Sequence, residues 1–405
     1  MNPSSSDPIP EVLLGKRRIA RDEPVFIIAE VGTSHMGDLS RARELIDAAA
    51  ESGADCVKFQ WVIADEIVHP GAGSIQLPGG SIAIWERFRQ LERPVAFYSR
   101  LKEYTEQRGL VFLCSPFGPE SARRLLELNI SAVKIASPEL NYYPLLQIVS
   151  GLPLILSTGV SEMEDIDRCV AFLKNGVVPG SINTAAAAAN HPEAFMPEPA
   201  GAVGDLPRAV LLHCITAYPA PEEEYNLRIL PLLAKKFRLP VGTSDHSADP
   251  IIVPLLSLAE GASMIEKHFT LSRNNPGLDD PIALEPGDFS SMCRHLRESE
   301  TEDGPVVLDE CRRLFGHSRV DAVLGTGEKV LAPSEAKFYQ TTKRSVVALH
   351  ALKPGDIISA HNTALLRCEQ NRSAGVPPHQ WESILGMVVN KQIPAGEGIQ
   401  RDKLR

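Results

Sequence analysis

Two short apolar runs in this 405-residue chain end in imidazoles, His246 in GTSDHS and His268 in IEKHF. If the runs are neighbouring strands, about 4.8 Å apart, both rings could reach one divalent ion; two unrelated polar caps are the alternative. Lys58 and Lys134 each close an otherwise apolar run. A lysine projecting from a buried strand is costly unless an anion compensates it, and a phosphate with a carboxylate would suit both. Ser115, Ser137, Ser157 and Ser244 could add hydroxyl donors to the same anion, although any one of them could simply end a strand. Glu30 and Glu139 could orient substrate hydroxyls or move protons, and Glu266 could hold a metal-bound imidazole in place. Each of these carboxylates has a salt-bridge alternative. Lys267 follows Glu266 directly and must point to the other side of its strand, toward flanking helices.

The elements that must position these groups recur in a regular way. Apolar β-branched runs at Val25 to Gly32, Ala54 to Gln60, Gly109 to Phe117, Ser131 to Glu139, Leu152 to Val160, Ala209 to Pro219, Leu239 to Ser247 and Ala262 to Thr270 alternate with helical patterns. Runs of that kind are strands buried on both faces. Eight βα units fit a (β/α)8 TIM barrel better than an open doubly wound sheet, and barrel enzymes work at the C-terminal strand ends. The candidate residues lie at those ends. Residues 1-299 are therefore assigned to the barrel, after a short polar leader. Two stretches interrupt the pattern: 68-88, with turn signals suited to a lid or small hairpin, and 183-207, an Ala/Pro/Gly-rich surface loop. Residues 300-342 read as a charged helical linker, and 343-405, with KPGD and PAGEG turns, as a small β-rich domain.

Composition narrows the class. Hydrophobic residues make up 43% and charged residues 23%, the balance of a globular chain with a core. A formal net charge of -10 without a basic block argues against nucleic acid as a partner. Seven scattered cysteines, none spaced as CxxC, indicate reduced thiols. No window approaches the about 18 apolar residues of a membrane span, so no membrane partner and a cytoplasmic location are expected. Neither GxGxxG, nor a Walker-type loop, nor a GxSxG elbow on a suitable strand is present.

Read together, IIAEVGTSHMGD, GADCVKFQ, SPFGPESA, KIASPEL, LILSTGVSEMEDI, HCITAYPAP, GTSDHS and IEKHFT followed by PGLDD resemble the sialic acid synthase family in order and spacing. RSVVALHALKPGDIIS and SILGMVVNKQIPAGEGI resemble its antifreeze-protein-like (SAF) domain. The resemblance implies a synthase that condenses phosphoenolpyruvate with N-acetylmannosamine or a related amino sugar, using Mn2+ or Mg2+. It implies His246 and His268 as metal ligands beside Glu266, and Lys58, Ser115, Lys134, Ser137, Ser157, Thr216 and Ser244 as phosphoenolpyruvate contacts. Glu30, Gln60, Tyr218 and Asp279 would face the sugar, with Glu139 near the reacting groups. It further implies a domain-swapped homodimer in which one arginine of the small domain, Arg367 or its rival Arg372, enters the partner's barrel. A barrel aldolase with a Schiff-base lysine, and a sugar-binding protein without catalysis, are the competing readings.

Overall fold

The structure is a computed structural model, and it describes residues 9–77, 80–176, 207–369 and 372–405. Eight strands run β1 (Phe26–Gly32), β2 (Cys56–Trp61), β3 (Val111–Pro116), β4 (Val133–Ile135), β5 (Leu154–Ser157), β6 (Ala209–Cys214), β7 (Val241–Asp245) and β8 (Met264–His268). They form one parallel sheet in the order β3-β2-β1-β8-β7-β6-β5-β4. Because β3 also packs beside β4, the sheet curls into a nearly closed (β/α)8 barrel.

Every residue of β1, β6, β7 and β8 is buried, as in a parallel sheet covered on both faces. Alternate residues go to two cores. Phe26, Ile28, Cys56, Leu113, Ile155, Leu212 and Met264 fill the barrel interior. Ile27, Val57, Leu156, Leu211 and Ile265 pack outward against the helices. Gly242 allows β7 its close approach to β8, since a Cβ there would stand 2.1 Å from the Met264 carbonyl oxygen.

The residues before β1 are not merely a polar leader. Val12–Leu14 and Arg17–Ile19 pair as a hairpin, and Val12, Leu14 and Ile19 join the interior core as a plug. Strands of three residues are too short for periodicity to reveal. Within 68-88 an antiparallel hairpin, Ser74–Leu77 with Gly80–Ala83, precedes the helix Ile84–Leu91. The predicted loop 183-207 lies, except for Pro207, outside the described residues.

Helices Gly304–Phe315 and His317–Leu324 bury Val307, Cys311, Val320, Val323 and Leu324 in the barrel's outer core, so much of the expected linker is a layer of the barrel. The small domain is built on β9 (Arg344–Ala348) paired antiparallel with β10 (Thr363–Arg367) and on isolated bridges such as Leu352–Ile393 and Val389–Leu404. It packs over the barrel mouth of its own chain: Arg367 bridges to Val68, and Asn141 Nδ2 donates to the Arg344 carbonyl at 3.0 Å. All seven cysteines are free and buried. Among the described residues no helix is long and apolar enough to cross a membrane.

Candidate active site

Strand register brings the polar groups to one level. Glu30 on β1 lies opposite Lys58 on β2 and His268 on β8, and Ser244 on β7 lies opposite Glu266. Residues two apart share a face, so Lys58 with Gln60 and Glu266 with His268 enter the barrel together. Lys267, between the last two, faces outward, where its Nζ meets Asp245 at 2.5 Å and the Ser247 carbonyl at 2.7 Å.

These side chains surround a cavity of about 230 Å³ at the C-terminal strand ends. Glu30, Lys58, Gln60, Lys134, Ser137, Ser157, Thr216, Tyr218, Ser244, His246, Glu266, His268, Asp279 and Arg367 all line it. Lys58 Nζ lies 2.8 Å from Glu30 and 3.7 Å from Glu266. Lys134 Nζ donates to Ser157 Oγ at 2.7 Å and lies 3.4 Å from the other Glu266 oxygen, which also accepts from Ser244 Oγ at 2.8 Å. Gln60 Nε2 donates to Glu30 at 2.8 Å. Ser115 does not reach the wall; it sits beside Lys58 Nζ at 3.5 Å, where it steadies the ammonium.

Burial acts on Lys58, Lys134, Glu30, Glu266 and Asp279 alike. It would lower Lys58, but Glu266 and Glu30 outweigh it and hold the ammonium above its usual range. Lys134 has weaker compensation and is pushed down by burial. Burial raises Glu30, whereas Lys134 and Lys58 overcome the same effect at Glu266 and keep it low. Burial, with Glu30 nearby, pushes Asp279 up to about 6. The floor is thus a compact array of alternating charges, with anchored ammoniums able to exchange carboxylate partners for a ligand's anionic oxygens.

The two histidines stand across from each other with ring centroids 5.2 Å apart. Burial lowers both pKa values, so the rings are neutral and have lone pairs to offer. His246 Nδ1 is engaged by the Ile215 carbonyl at 2.8 Å, which leaves Nε2 as its free nitrogen. His268 Nδ1 lies 3.9 Å from Asp279. Among the described residues no cluster of three His, Cys, Asp or Glu side chains forms a metal cage. Two neutral imidazoles near a carboxylate nevertheless fit an ion that completes its shell with water and substrate oxygens. The Tyr218 ring stacks on His246 at 4.3 Å and closes that side.

The small domain completes the mouth. Arg367 lines the cavity, while Arg372 lies outside it, donating to the Gly71 carbonyl at 3.2 Å. Arg367 thus reaches the cavity of its own chain. Glu139, expected near the reacting groups, is fully buried behind the wall. Its carboxylate is taken by Arg344 Nη2 at 2.8 Å and by Arg367 Nη2 at 2.7 and 2.9 Å. It holds the guanidinium of Arg367, which lines the cavity that Glu139 itself does not line. The residue patterns also passed over the apolar wall of Ile67, Phe88, Phe117 and Leu278. Such residues look like ordinary core in a sequence, and only Phe117, beside Ser115 and Pro116 at a strand end, carried a positional signal.

The NeuB family model matches residues 45–307, and the SAF domain model matches residues 343–405. The spore coat polysaccharide biosynthesis protein SpsE of Bacillus subtilis is 32% identical, over 96% of this chain and 96% of that protein. The N,N'-diacetyllegionaminic acid synthase of Legionella pneumophila is 31% identical, over 92% of each. The crystal structure of B. subtilis SpsE superposes with a TM-score of 0.75 at 30% identity, covering 98% of this chain and 99% of that one.

Proposed function

This chain belongs to the NeuB family, whose relatives include synthases of nonulosonic acids, and on that premise we propose that it condenses phosphoenolpyruvate with N-acetylmannosamine or a related N-acylated amino sugar. The products are a nonulosonic acid and phosphate. One observation carries the reading: Lys58 and Lys134 share a single cavity with His246 and His268.

Lys58, Lys134 and the hydroxyls of Ser137, Ser157, Thr216 and Ser244 would receive the phosphate and carboxylate of phosphoenolpyruvate. Glu266, ion-paired with both lysines and hydrogen-bonded by Ser244, holds them in place. His246 and His268 would hold a Mn2+ or Mg2+ ion, which when bound supplies Lewis-acid polarisation of the acceptor's aldehyde oxygen. Glu30 and Gln60, already hydrogen-bonded to each other, orient the acceptor's hydroxyls against C3 of the enol. The new bond joins C3 to the aldehyde carbon. Asp279, beside His268 in the same cavity, would give a proton to the aldehyde oxygen as it becomes a hydroxyl. Water adds at C2 and phosphate departs, leaving the 2-keto acid.

Reduced, buried thiols agree with a cytoplasmic enzyme. In a domain-swapped homodimer the Arg367–Glu139 contact would form between two subunits in place of one. The reading is tested by mass spectrometry of the product over a panel of hexosamine acceptors. The expected mass is that of acceptor plus phosphoenolpyruvate plus water, less phosphoric acid; unchanged reactants with every acceptor would refute it.

A further inference from the structure

The barrel mouth holds a carboxylate that the proposed chemistry does not use. Glu335 sits in the short helical turn Pro333–Ala336 between the two domains and is wholly buried. Its Oε1 accepts two backbone N–H bonds, from Val160 at 2.7 Å and from Thr216 at 2.5 Å. Val160 lies just after β5 and Thr216 just after β6, so one oxygen from a third segment ties two strand ends together.

The tied ends are those that face the anion subsite. Val160 has φ of 42°, a left-handed conformation that a β-branched residue rarely holds without support. Gly159 before it is wedged: a Cβ there would stand 2.2 Å from Thr216 Oγ1 and 2.9 Å from Ser137 Oγ. Ser137 Oγ accepts from the Gly159 N–H at 3.0 Å. Thr216 Oγ1 is buried, lacks a hydrogen-bond partner among the described residues, and belongs to a cavity-lining side chain. It is free to meet a ligand oxygen.

We infer that Glu335 is a positioning residue for this subsite. Its carboxylate fixes Gly159, Val160 and Thr216, and through them sets the hydroxyls of Ser137, Ser157 and Thr216 that meet phosphoenolpyruvate. The inference rests on the reading of this cavity as the phosphoenolpyruvate site. It makes anion affinity depend on how the segment leading into the small domain is seated.

Three variants of the full chain separate this role from a structural one. E335D keeps the charge but withdraws it by one methylene, E335Q keeps the reach and one acceptor oxygen, and E335A removes both. Calorimetry without acceptor should show E335D and E335A binding phosphoenolpyruvate about tenfold more weakly, the factor that 1.4 kcal/mol represents. In turnover the KM for phosphoenolpyruvate should rise in step while the acceptor's KM is little changed, and E335Q should stay near the wild type. Folded E335D with normal phosphoenolpyruvate affinity, equal loss in both KM values, or E335Q as impaired as E335D would each overturn the inference. A wild type that binds phosphoenolpyruvate but releases no phosphate refutes the condensation and leaves the binding comparison intact. A wild type that does not bind it refutes both.

Discussion

Arg367 of the small domain grips Glu139 of the barrel through both carboxylate oxygens, at 2.7 and 2.9 Å, while Arg344 holds the same group from behind. E139A strands the buried guanidinium of Arg344 and should cost about 3 to 5 kcal/mol, whereas R367A leaves Glu139 paired with Arg344 and should cost less. The double variant should lose less than the sum of the two. Urea unfolding of the four proteins in the cycle measures this, and strict additivity would mean that the pair does not couple the domains.

The lysines carry a different expectation. K58M leaves Glu30 and Glu266 short of a counter-charge, and K134M leaves Ser157 without its donor. Each should lower kcat/KM for phosphoenolpyruvate by on the order of 10², the scale of a lost charge-assisted contact. Borohydride should trap no adduct on the wild type. A reduced adduct on Lys134 would instead establish the Schiff-base aldolase.

Among the described residues that line the cavity, His246 and His268 are the two imidazoles, so redundancy is small. H246A and H268A should each weaken Mn2+ binding by at least about tenfold in a direct titration, with phosphoenolpyruvate binding largely retained. Unaltered Mn2+ affinity in both variants would remove the ion from this site.

Acid stability should report the Asp165–Lys343 contact, 2.6 Å long, between the helix Met163–Asn175 and the start of the small domain. Burial raises the Asp165 carboxyl, but Lys343, the Tyr339 hydroxyl and the Glu162 N–H together bring it below its ordinary value. A carboxyl whose folded pKa is depressed stabilises the fold above the unfolded value of about 3.9, and that stabilisation is lost as pH falls through the folded value. Burial pushes the Lys343 ammonium down; its cost is constant through the acid range and changes only at alkaline pH. D165N should therefore be less stable than wild type at neutral pH, and the difference should shrink below about pH 4. Parallel stability curves for the two proteins would contradict this.

The barrel was readable because parallel strands buried on both faces leave unbroken apolar runs, and a lysine or histidine ending such a run stands out. Lys58, Lys134, His246 and His268 were visible on that ground, and the family motifs added Gln60, Tyr218 and Asp279. The remaining features depend on contacts far apart in the chain. Arg344 and Arg367 lie 205 and 228 residues from Glu139, so nothing local showed that this carboxylate is occupied. Glu335 stood in a stretch without periodicity, where its two backbone donors cannot be inferred. The plugging hairpin has strands too short to show alternation.

The most direct test is phosphate release from phosphoenolpyruvate by the purified chain, with the amino sugar and the divalent ion supplied or withheld in turn. The account expects stoichiometric release only when all three are present, and its abolition by EDTA with recovery on adding Mn2+. Release that continues undiminished without the sugar, or in EDTA, would contradict it.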